Sequence, residues 1–547
     1  MDKTTFYPPS NRPVALGTNG MITSAHPLAS LAGQKILMEG GNAFDAIVAT
    51  ASTLNVVEPY MSGVGGIGVA IVYNAKDNTV RSLNFSGRAP SSADPEKFSS
   101  ESKETGILAP LIPGNLAGWL TIHERYGSMD RDRLFQSAIG YAENGFPVTQ
   151  LNSYFMNSNA GRLAKFPSKS IILDEYGRAP KPYSRLTMPL LASSLRKIAK
   201  GGKEVFYEGE LAEQIVKGNQ ELGGLFSMED LASYEATWED PIKINYKGLT
   251  IYTTPPNSSG FQILQTLKLL EGFADSDLIY QDPNFLHLFI ESVKLCITDR
   301  IKYAGDPDHV SIPIEGLLSD DYARRQKDRI NLEQASIVSG EHFTKKIPKG
   351  SLRAGSPEEF DGGMTTHFAA ADRDGNVVSI TQTLGGGFGS AVAIGDTGIF
   401  LNNMSFWFDL EEGSPNRIGP NKRVDFVVAP TQTFDNGQFL LSMGTPGSWG
   451  ILQTTPQFLM NVLDFDMNVQ EAIEAPRLKV IEGREIEMEE RFPYHIRKAL
   501  ETKGHQIKTI SPWSPSVGGA HGIQFDRNNG VFQGGADPRR DGYAIGW

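Results

Sequence analysis

The stretch Asp361-Gly-Gly-Met-Thr-Thr-His-Phe-Ala-Ala-Ala-Asp372 decides how this chain reads. It ends a polar segment, Ser339 to Gly363, that is rich in charge, Gly and Pro. Thr366–Asp372, the Asp374-Gly375 turn and Asn376–Thr383 then give the pattern of a β-hairpin. A threonine hydroxyl is a poor nucleophile at neutral pH unless a base takes its proton. A backbone break before Thr365 would give that residue a free α-amine. Its pKa of roughly 7.7–8.0 leaves part of it neutral at physiological pH. One residue would then hold nucleophile and base together. A threonine opening an ordinary strand explains the same letters. The stretch alone leaves both readings open.

Downstream the texture stays strand-like. Asn436-Gly437 separates Thr431–Phe434 from Phe439–Met443, and Asn529-Gly530 separates Gly522–Phe525 from Val531–Phe532, two further hairpin signals. Between them, Gly444-Thr-Pro-Gly-Ser-Trp-Gly450 closes one strand and opens a helix, Ile451–Leu463. The first N–H groups of a helix lack intrahelical acceptors and carry partial positive charge. The backbone donors of Gly447 and Ser448 are therefore candidates for an oxyanion site, with a plain tight turn as the alternative. The same letters, Pro446-Gly-Ser448-Trp-Gly450, resemble a nucleophile elbow with Ser448 as the nucleophile. The first position is Pro rather than Gly, and no adjacent residue supplies a base.

The 547 residues carry 40% hydrophobic and 21% charged side chains, the composition of an ordinary globular protein. A net charge of −12 argues against nucleic acid or an anionic membrane as the main partner. The single cysteine, Cys296, lies in an apolar helical run and reads as a small buried hydrophobe. Met1 to Ser10 contains no apolar secretory core, and no apolar run reaches membrane-spanning length, so the expectation is a cytoplasmic protein. The nine histidines are scattered with no metal-ligand spacing, so no catalytic metal is expected. His367, on the strand after the threonine pair, reads as structural.

Toward the N-terminus, Leu28 to Leu37 keeps a helical period that Gly40-Gly41 stops, and Asn42 or Asp45 caps a buried helix, Ala46 to Val57. Gly63-Val-Gly-Gly-Ile-Gly68 matches a dinucleotide fingerprint in letters only. A helix precedes it and strand-like Val69–Tyr73 follows, the reverse of the required order, so it reads as a glycine corner. Residues 150–340 read as largely helical, with Ser258–Phe273 and Phe285–Ala304 the strongest amphipathic segments. The best linker is 337–364.

In order along the chain, Leu37-Met-Glu-Gly-Gly-Asn-Ala-Phe-Asp-Ala46, Pro113-Gly-Asn-Leu-Ala-Gly118, Thr365-Thr-His-Phe368, Thr381-Gln-Thr-Leu384, Gly398-Ile-Phe-Leu-Asn-Asn403, Ala429-Pro-Thr431, Gly444-Thr-Pro-Gly447 and Ala536-Asp-Pro-Arg539 resemble the gamma-glutamyltransferase family of N-terminal-nucleophile hydrolases. The resemblance implies an α+β fold, a four-layer αββα sandwich made as one chain and self-cleaved at Met364–Thr365. It implies a large subunit, 1–364, a small subunit, 365–547, and their association as a heterodimer that could enter a higher oligomer. It further implies Thr365 as nucleophile, Thr383 as the supporting hydroxyl, and Gly447 and Ser448 at the oxyanion positions. No cofactor is implied, and the partner is a small-molecule amide substrate.

Four positions depart from the family pattern. The Arg expected just after Phe85 is Ser86, with Arg88 two places on, and the Asn expected after Leu384 is Gly385. An acidic segment after Asn403 is Met404-Ser-Phe-Trp407, and a serine pair before Ala429 falls at Phe426-Val427. A zwitterionic amino-acid head in such a pocket would leave charges unpaired, at several kcal/mol per ion. Arg88, Asp409 or Asp425 are the available replacements. The family's default is a gamma-glutamyl amide such as glutathione, hydrolysed or transferred. The alternatives are an acylase or oxamate-like amidohydrolase for another small carboxyl-bearing acyl amide, and an uncleaved, non-catalytic homologue.

Overall fold

The computed structural model describes residues 10–336 and 364–547, so the expected linker lies outside the described residues except for Met364. Fourteen strands form the two central layers: β1 (Ala15–Gly17), β2 (Gly20–Ser24), β3 (Ile67–Asn74), β4 (Thr79–Phe85), β5 (Thr237–Glu239), β6 (Ile242–Tyr246), β7 (Leu249–Thr253), β8 (Met364–Asp372), β9 (Val377–Gly385), β10 (Thr431–Asp435), β11 (Gln438–Gly444), β12 (His521–Asp526), β13 (Val531–Ala536) and β14 (Tyr543–Gly546). One seven-stranded sheet runs β14-β2-β8-β9-β3-β4-β5, the other β1-β13-β12-β11-β10-β7-β6. All pairings within both are antiparallel.

Helices cover the outer faces. On the first sheet lie α1 (Pro27–Met38), α2 (Ala43–Val57), α3 (Asn115–Tyr126), α4 (Arg131–Asn144) and α5 (Pro189–Tyr207); on the second, α6 (Phe261–Glu271), α7 (Pro283–Tyr303) and α8 (Ile451–Leu463). The result is the expected αββα sandwich. The sequence of β8 shows why: Phe368 and Ala370 join the core under the helices, while Ala369 and Ala371 meet Phe434, Phe439 and Ile523 of the facing sheet. A strand buried on both faces needs apolar residues at every position, not alternate ones. Among the described residues no helix is long and apolar enough to cross a membrane.

Local expectations hold in detail at several turns. Asn436 (φ 49°) and Gly437 (φ 76°) both adopt the left-handed backbone that a two-residue hairpin turn requires. Asn42 caps α2 in a reciprocal box with Asp45, so the helix starts at Ala43, earlier than its apolar run suggests. The glycine corner is steric: a Cβ on Gly65 would lie 2.1 Å from the Phe400 carbonyl oxygen, and one on Gly66 2.4 Å from that of Thr383. Cys296 is fully buried, and burial pushes its thiol pKa up, as befits a small hydrophobe.

One region differs. The middle third, expected to be largely helical, contributes β5, β6 and β7. The missed signal is Ile242-Lys-Ile-Asn-Tyr246 and Leu249-Thr-Ile-Tyr-Thr253 around Lys247-Gly248, whose φ values of 49° and 88° are again those of a tight hairpin turn. Strong helical periodicity on either side masked two short alternating runs.

Candidate active site

The site begins where the register of the central hairpin slips. Met364 pairs with Gly385 but Thr365 with Thr383, so Leu384 is an extra residue and the ladder is broken between Met364 and Thr365. Strand β8 thus starts two residues before the expected Thr366, and the bond expected to be cut lies in a bulge at the start of this interior strand. Thr365 and Thr383 are 4% and 3% exposed.

Thr383 is saturated. Its hydroxyl accepts from the Thr365 hydroxyl (3.2 Å) and from the Gly385 N–H (2.7 Å), and donates to the Met364 carbonyl oxygen (2.6 Å). A hydroxyl has one proton and two lone pairs. With both lone pairs taken, the Thr383 proton is fixed on the carbonyl of the peptide bond that precedes Thr365. Gly385 has φ 98°, and a Cβ there would meet Asn403 Oδ1 at 2.1 Å, so the Asn expected at this position does not fit.

Strand alternation puts Thr365, His367 and Ala369 on the face turned to the second sheet. His367 is fully buried, and its Nδ1 shares a 2.8 Å hydrogen bond with the Thr381 hydroxyl. Burial, then the neighbouring His521, holds its pKa well below the usual range, so the ring is neutral, in keeping with a structural role. A Cβ on Gly444 would fall 2.3 Å from the His367 ring, so β11 ends directly against it. From there Thr445-Pro446 carries the chain into the turn at Gly447 (φ 137°) and Ser448 (φ 54°). The Thr445 hydroxyl accepts from Gly519 N–H and donates to the Pro446 carbonyl, which pins the turn. Helix α8 follows with no side-chain cap, and among the described residues no acceptor takes the N–H of Gly447 or Ser448. Two such free donors near the buried hydroxyl pair fit an oxyanion site. As for the elbow alternative, no histidine among the described residues hydrogen-bonds Ser448.

The tentative substrate residues separate. In β4's continuation, Ser86 is buried and hydrogen-bonds Asn257, while Arg88 turns to Asn421 O and to Asp308 (3.3 Å) at the surface. Thr365, Thr383, Ile67 and then β4 follow one another across the sheet, which at ~4.8 Å per strand puts β4 about 14 Å from the backbone of Thr365 and about 10 Å from that of Thr383. Asp425 is buried, accepts from the Ser259 hydroxyl (2.5 Å) and lies 3.6 Å from the Arg300 guanidinium. Burial pushes Asp425 up to about 6, against the pull of Arg300.

Four groups were given no role from the sequence. Trp407 and Trp449 pack 4.5 Å apart, one from the loop after Asn403 and one from the Gly447–Gly450 turn, and both are half-buried. The Arg300 guanidinium, from the last turn of α7, lies 3.9 Å over the Trp449 ring. Lys103 is buried beside the same loop, donating to the Phe408 carbonyl, and burial lowers its pKa to about 8. On the helix side of β8, the Thr366 hydroxyl donates to Glu58 (3.2 Å), which burial raises to about 7. Trp407 and Trp449 had local signals, one in the departing segment after Asn403 and one in the turn; the others are gathered from distant elements.

His287, Glu291 and His505 bring three ligand-type atoms within 4.8 Å of one another. Glu291 is already paired with buried Lys294 (2.8 Å), and the two imidazoles are hydrogen-bonded to each other (2.8 Å). Burial first, and then the charges of Lys294, Arg484 and Lys503, depress His505, and those cationic groups disfavour a bound cation.

Residues 29–547 match the family model described as Gamma-glutamyltranspeptidase. The glutathione hydrolase proenzyme of Bacillus subtilis (strain 168) is 34% identical, over 97% of this chain and 92% of the relative. The acylase ACY 1 proenzyme of Pseudomonas sp. (strain SE83) is 36% identical, over 97% and 94%. The crystal structure of cephalosporin acylase from Bacillus halodurans superposes with a TM-score of 0.89 at 33% identity, covering 100% of this chain and 99% of that one.

Proposed function

The chain belongs to the gamma-glutamyltranspeptidase family, and from that premise we propose that it is an autoprocessing threonine amidohydrolase in which Thr365 is the nucleophile. The observation that carries the reading is the Thr383 hydroxyl fixed on the Met364 carbonyl at 2.6 Å beside the Thr365 hydroxyl. In the first event Thr365 Oγ adds to the Met364 carbonyl carbon. The developing oxyanion takes the Thr383 proton as its hydrogen-bond donor. The intermediate collapses with cleavage of the C–N bond, the nitrogen keeps its electron pair and gains a proton, and Met364 is left as an ester on Oγ. Water hydrolyses that ester, which releases the Met364 carboxylate and restores the Thr365 hydroxyl beside the α-amine already freed.

In turnover the free α-amine takes the proton from Oγ as it attacks a substrate amide. The tetrahedral oxyanion accepts from the N–H groups of Gly447 and Ser448. The leaving amine departs with the proton, and water releases the acyl group from the ester. The cleavage products, 1–364 and 365–547, remain together as a heterodimer.

A gamma-glutamyl amide such as glutathione is the first substrate class to consider, since a relative named glutathione hydrolase matches nearly end to end. A specific observation favours the second, a non-glutamyl acyl amide of the kind an acylase takes. Ser86 replaces a charged side chain and is tied to Asn257, and the loop after Asn403 presents Trp407 in place of acidic residues.

The test is direct. Purified protein should give two bands on a denaturing gel, with Thr365 the first residue of the smaller. Thr365→Ala should give one band and no hydrolysis of gamma-glutamyl-p-nitroanilide, glutathione or short acyl anilides. A single-banded wild type with full activity, or an active Thr365→Ala, would sink the reading.

A further inference from the structure

We propose that Glu58, as a carboxylate counterbalanced by Arg540, is a positioning residue for Thr365, and that it makes self-cleavage depend on pH. This rests on the reading of Thr365 as nucleophile and adds a regulation of that site. Thr365 stands directly after the slip in the ladder, so its place depends on how firmly the next residue is held. Thr366 points to the helix side, where Glu58 accepts from its hydroxyl at 3.2 Å. Glu58 is 1% exposed and ends α2 as its C-cap. The turn it opens grips the other strand. The Met61 carbonyl accepts from Leu384, the extra residue of the bulge, at 3.0 Å, and the Tyr60 carbonyl accepts from Phe388 at 3.1 Å. Residues 58–61 therefore hold both sides of the Thr365–Thr383 pair from behind the sheet.

Arg540 is 3% exposed and reaches the same turn from beyond β13. Its Nη1 donates to Met61 Sδ at 3.3 Å, a weak acceptor, and among the described residues its Nε has no partner. Its stem lies against Gly519, where a Cβ would meet it at 2.3 Å, and the Gly519 N–H holds Thr445 at the start of the oxyanion turn. The part left to this guanidinium is electrostatic: Glu58, Tyr60, Asp537 and Asp541 all face its charge. On Glu58, burial and then Asp541 push the pKa up, Arg540 and the Thr366 bond pull it down, and the balance falls at about 7. Asp541 is itself raised by burial, accepts from the Thr149 hydroxyl and faces Arg12. An ionised Glu58 takes the Thr366 proton in a charge-assisted bond, roughly twice as strong as a neutral one. The acid form carries a donor of its own and holds Thr366 weakly. A carboxyl that weakens the fold where it ionises, yet braces the reacting strand only when ionised, is placed for the reaction.

Self-cleavage is the step to measure, since before it Thr365 has no free α-amine to titrate. Full-length precursor from cell-free translation is moved into buffers from about pH 5.5 to about pH 9 and followed on a denaturing gel. Wild-type cleavage should accelerate with pH to a plateau, with a midpoint of about 7. Glu58→Gln should be about tenfold slower on the plateau and flat across the range, although it is the more stable protein at about pH 8. Glu58→Asp should bring back a pH-dependent rate. Arg540→Met should move the midpoint up by about one pH unit, because the carboxylate loses its countercharge. Thr366→Val should slow cleavage as much as Glu58→Gln does, and the two together no further. A flat wild-type profile, an unchanged profile or wild-type speed in folded Glu58→Gln, or a midpoint that Arg540→Met leaves in place or lowers would overturn the proposal. Where Glu58→Gln fails to fold, the Arg540→Met midpoint decides. A wild type that never cleaves, cleavage of Thr365→Ala, or a smaller fragment that starts elsewhere is the separate signature that the nucleophile itself was misread, and the proposal falls with it.

Discussion

Thr383, expected as the supporting hydroxyl, donates its proton to the Met364 carbonyl. Thr383→Val removes that proton and keeps the side-chain volume. Cleavage, followed by the appearance of two bands over time, should slow by about a hundredfold or more, and Thr383→Ser should restore most of the rate. Glu58 makes a second prediction at this scale. Burial raises its pKa from 4.5 to about 7, so the folded state holds the proton more tightly than the unfolded one. Its contribution to stability is fully present below about pH 4.5 and is lost as pH rises to about 7. Glu58→Gln should therefore stabilise the protein by roughly 2–3 kcal/mol at pH 8 and have no such effect at pH 4. Denaturant titrations at the two pH values measure the difference.

The close fit of β11 against β8 governs the site at the level of elements. Gly444 ends β11 on the His367 ring, and a methyl there would sit 2.3 Å from an imidazole carbon. Gly444→Ala should cost roughly 1–3 kcal/mol through overpacking and should slow cleavage as well, because the turn to Gly447 starts at this contact. Thermal unfolding and a processing time course read the two effects. Elements were also where the sequence was most and least legible. The Asn436-Gly437 hairpin and the Asn42 cap follow from residues adjacent in the chain, whose φ preference or side-chain reach is a local property. The three strands from Thr237 to Thr253 escaped because short runs take their structure from a sheet partner far along the chain: β7 pairs with β10.

The whole molecule explains why a cut chain would stay one body. The two halves interleave in both sheets: β8 and β14 flank β2, β9 pairs with β3, β7 with β10, and β1 with β13. Separation would break five ladders and open the sandwich core. Native size exclusion should therefore give a single peak containing both fragments, which part only in denaturant. Fragments that elute separately under native conditions would contradict this architecture.

The sequence by itself determined the fold class, the nucleophile candidate and the turn that faces it, because each is written in contiguous letters: a strand-borne threonine pair, glycines where backbone must approach backbone, a helix start after Gly447. It also announced what was missing, since Ser86 and Trp407 stand where charge was expected. Only the tertiary structure decided which distant groups meet around those positions. Arg300 and Asp425 lie 125 positions apart, and Trp407 and Trp449 belong to different loops. Arg88, the nearest arginine in sequence to the departure, goes to Asp308 at the surface. The physical reason is that an ion pair or ring contact between distant elements exists only once the layers of the sandwich close.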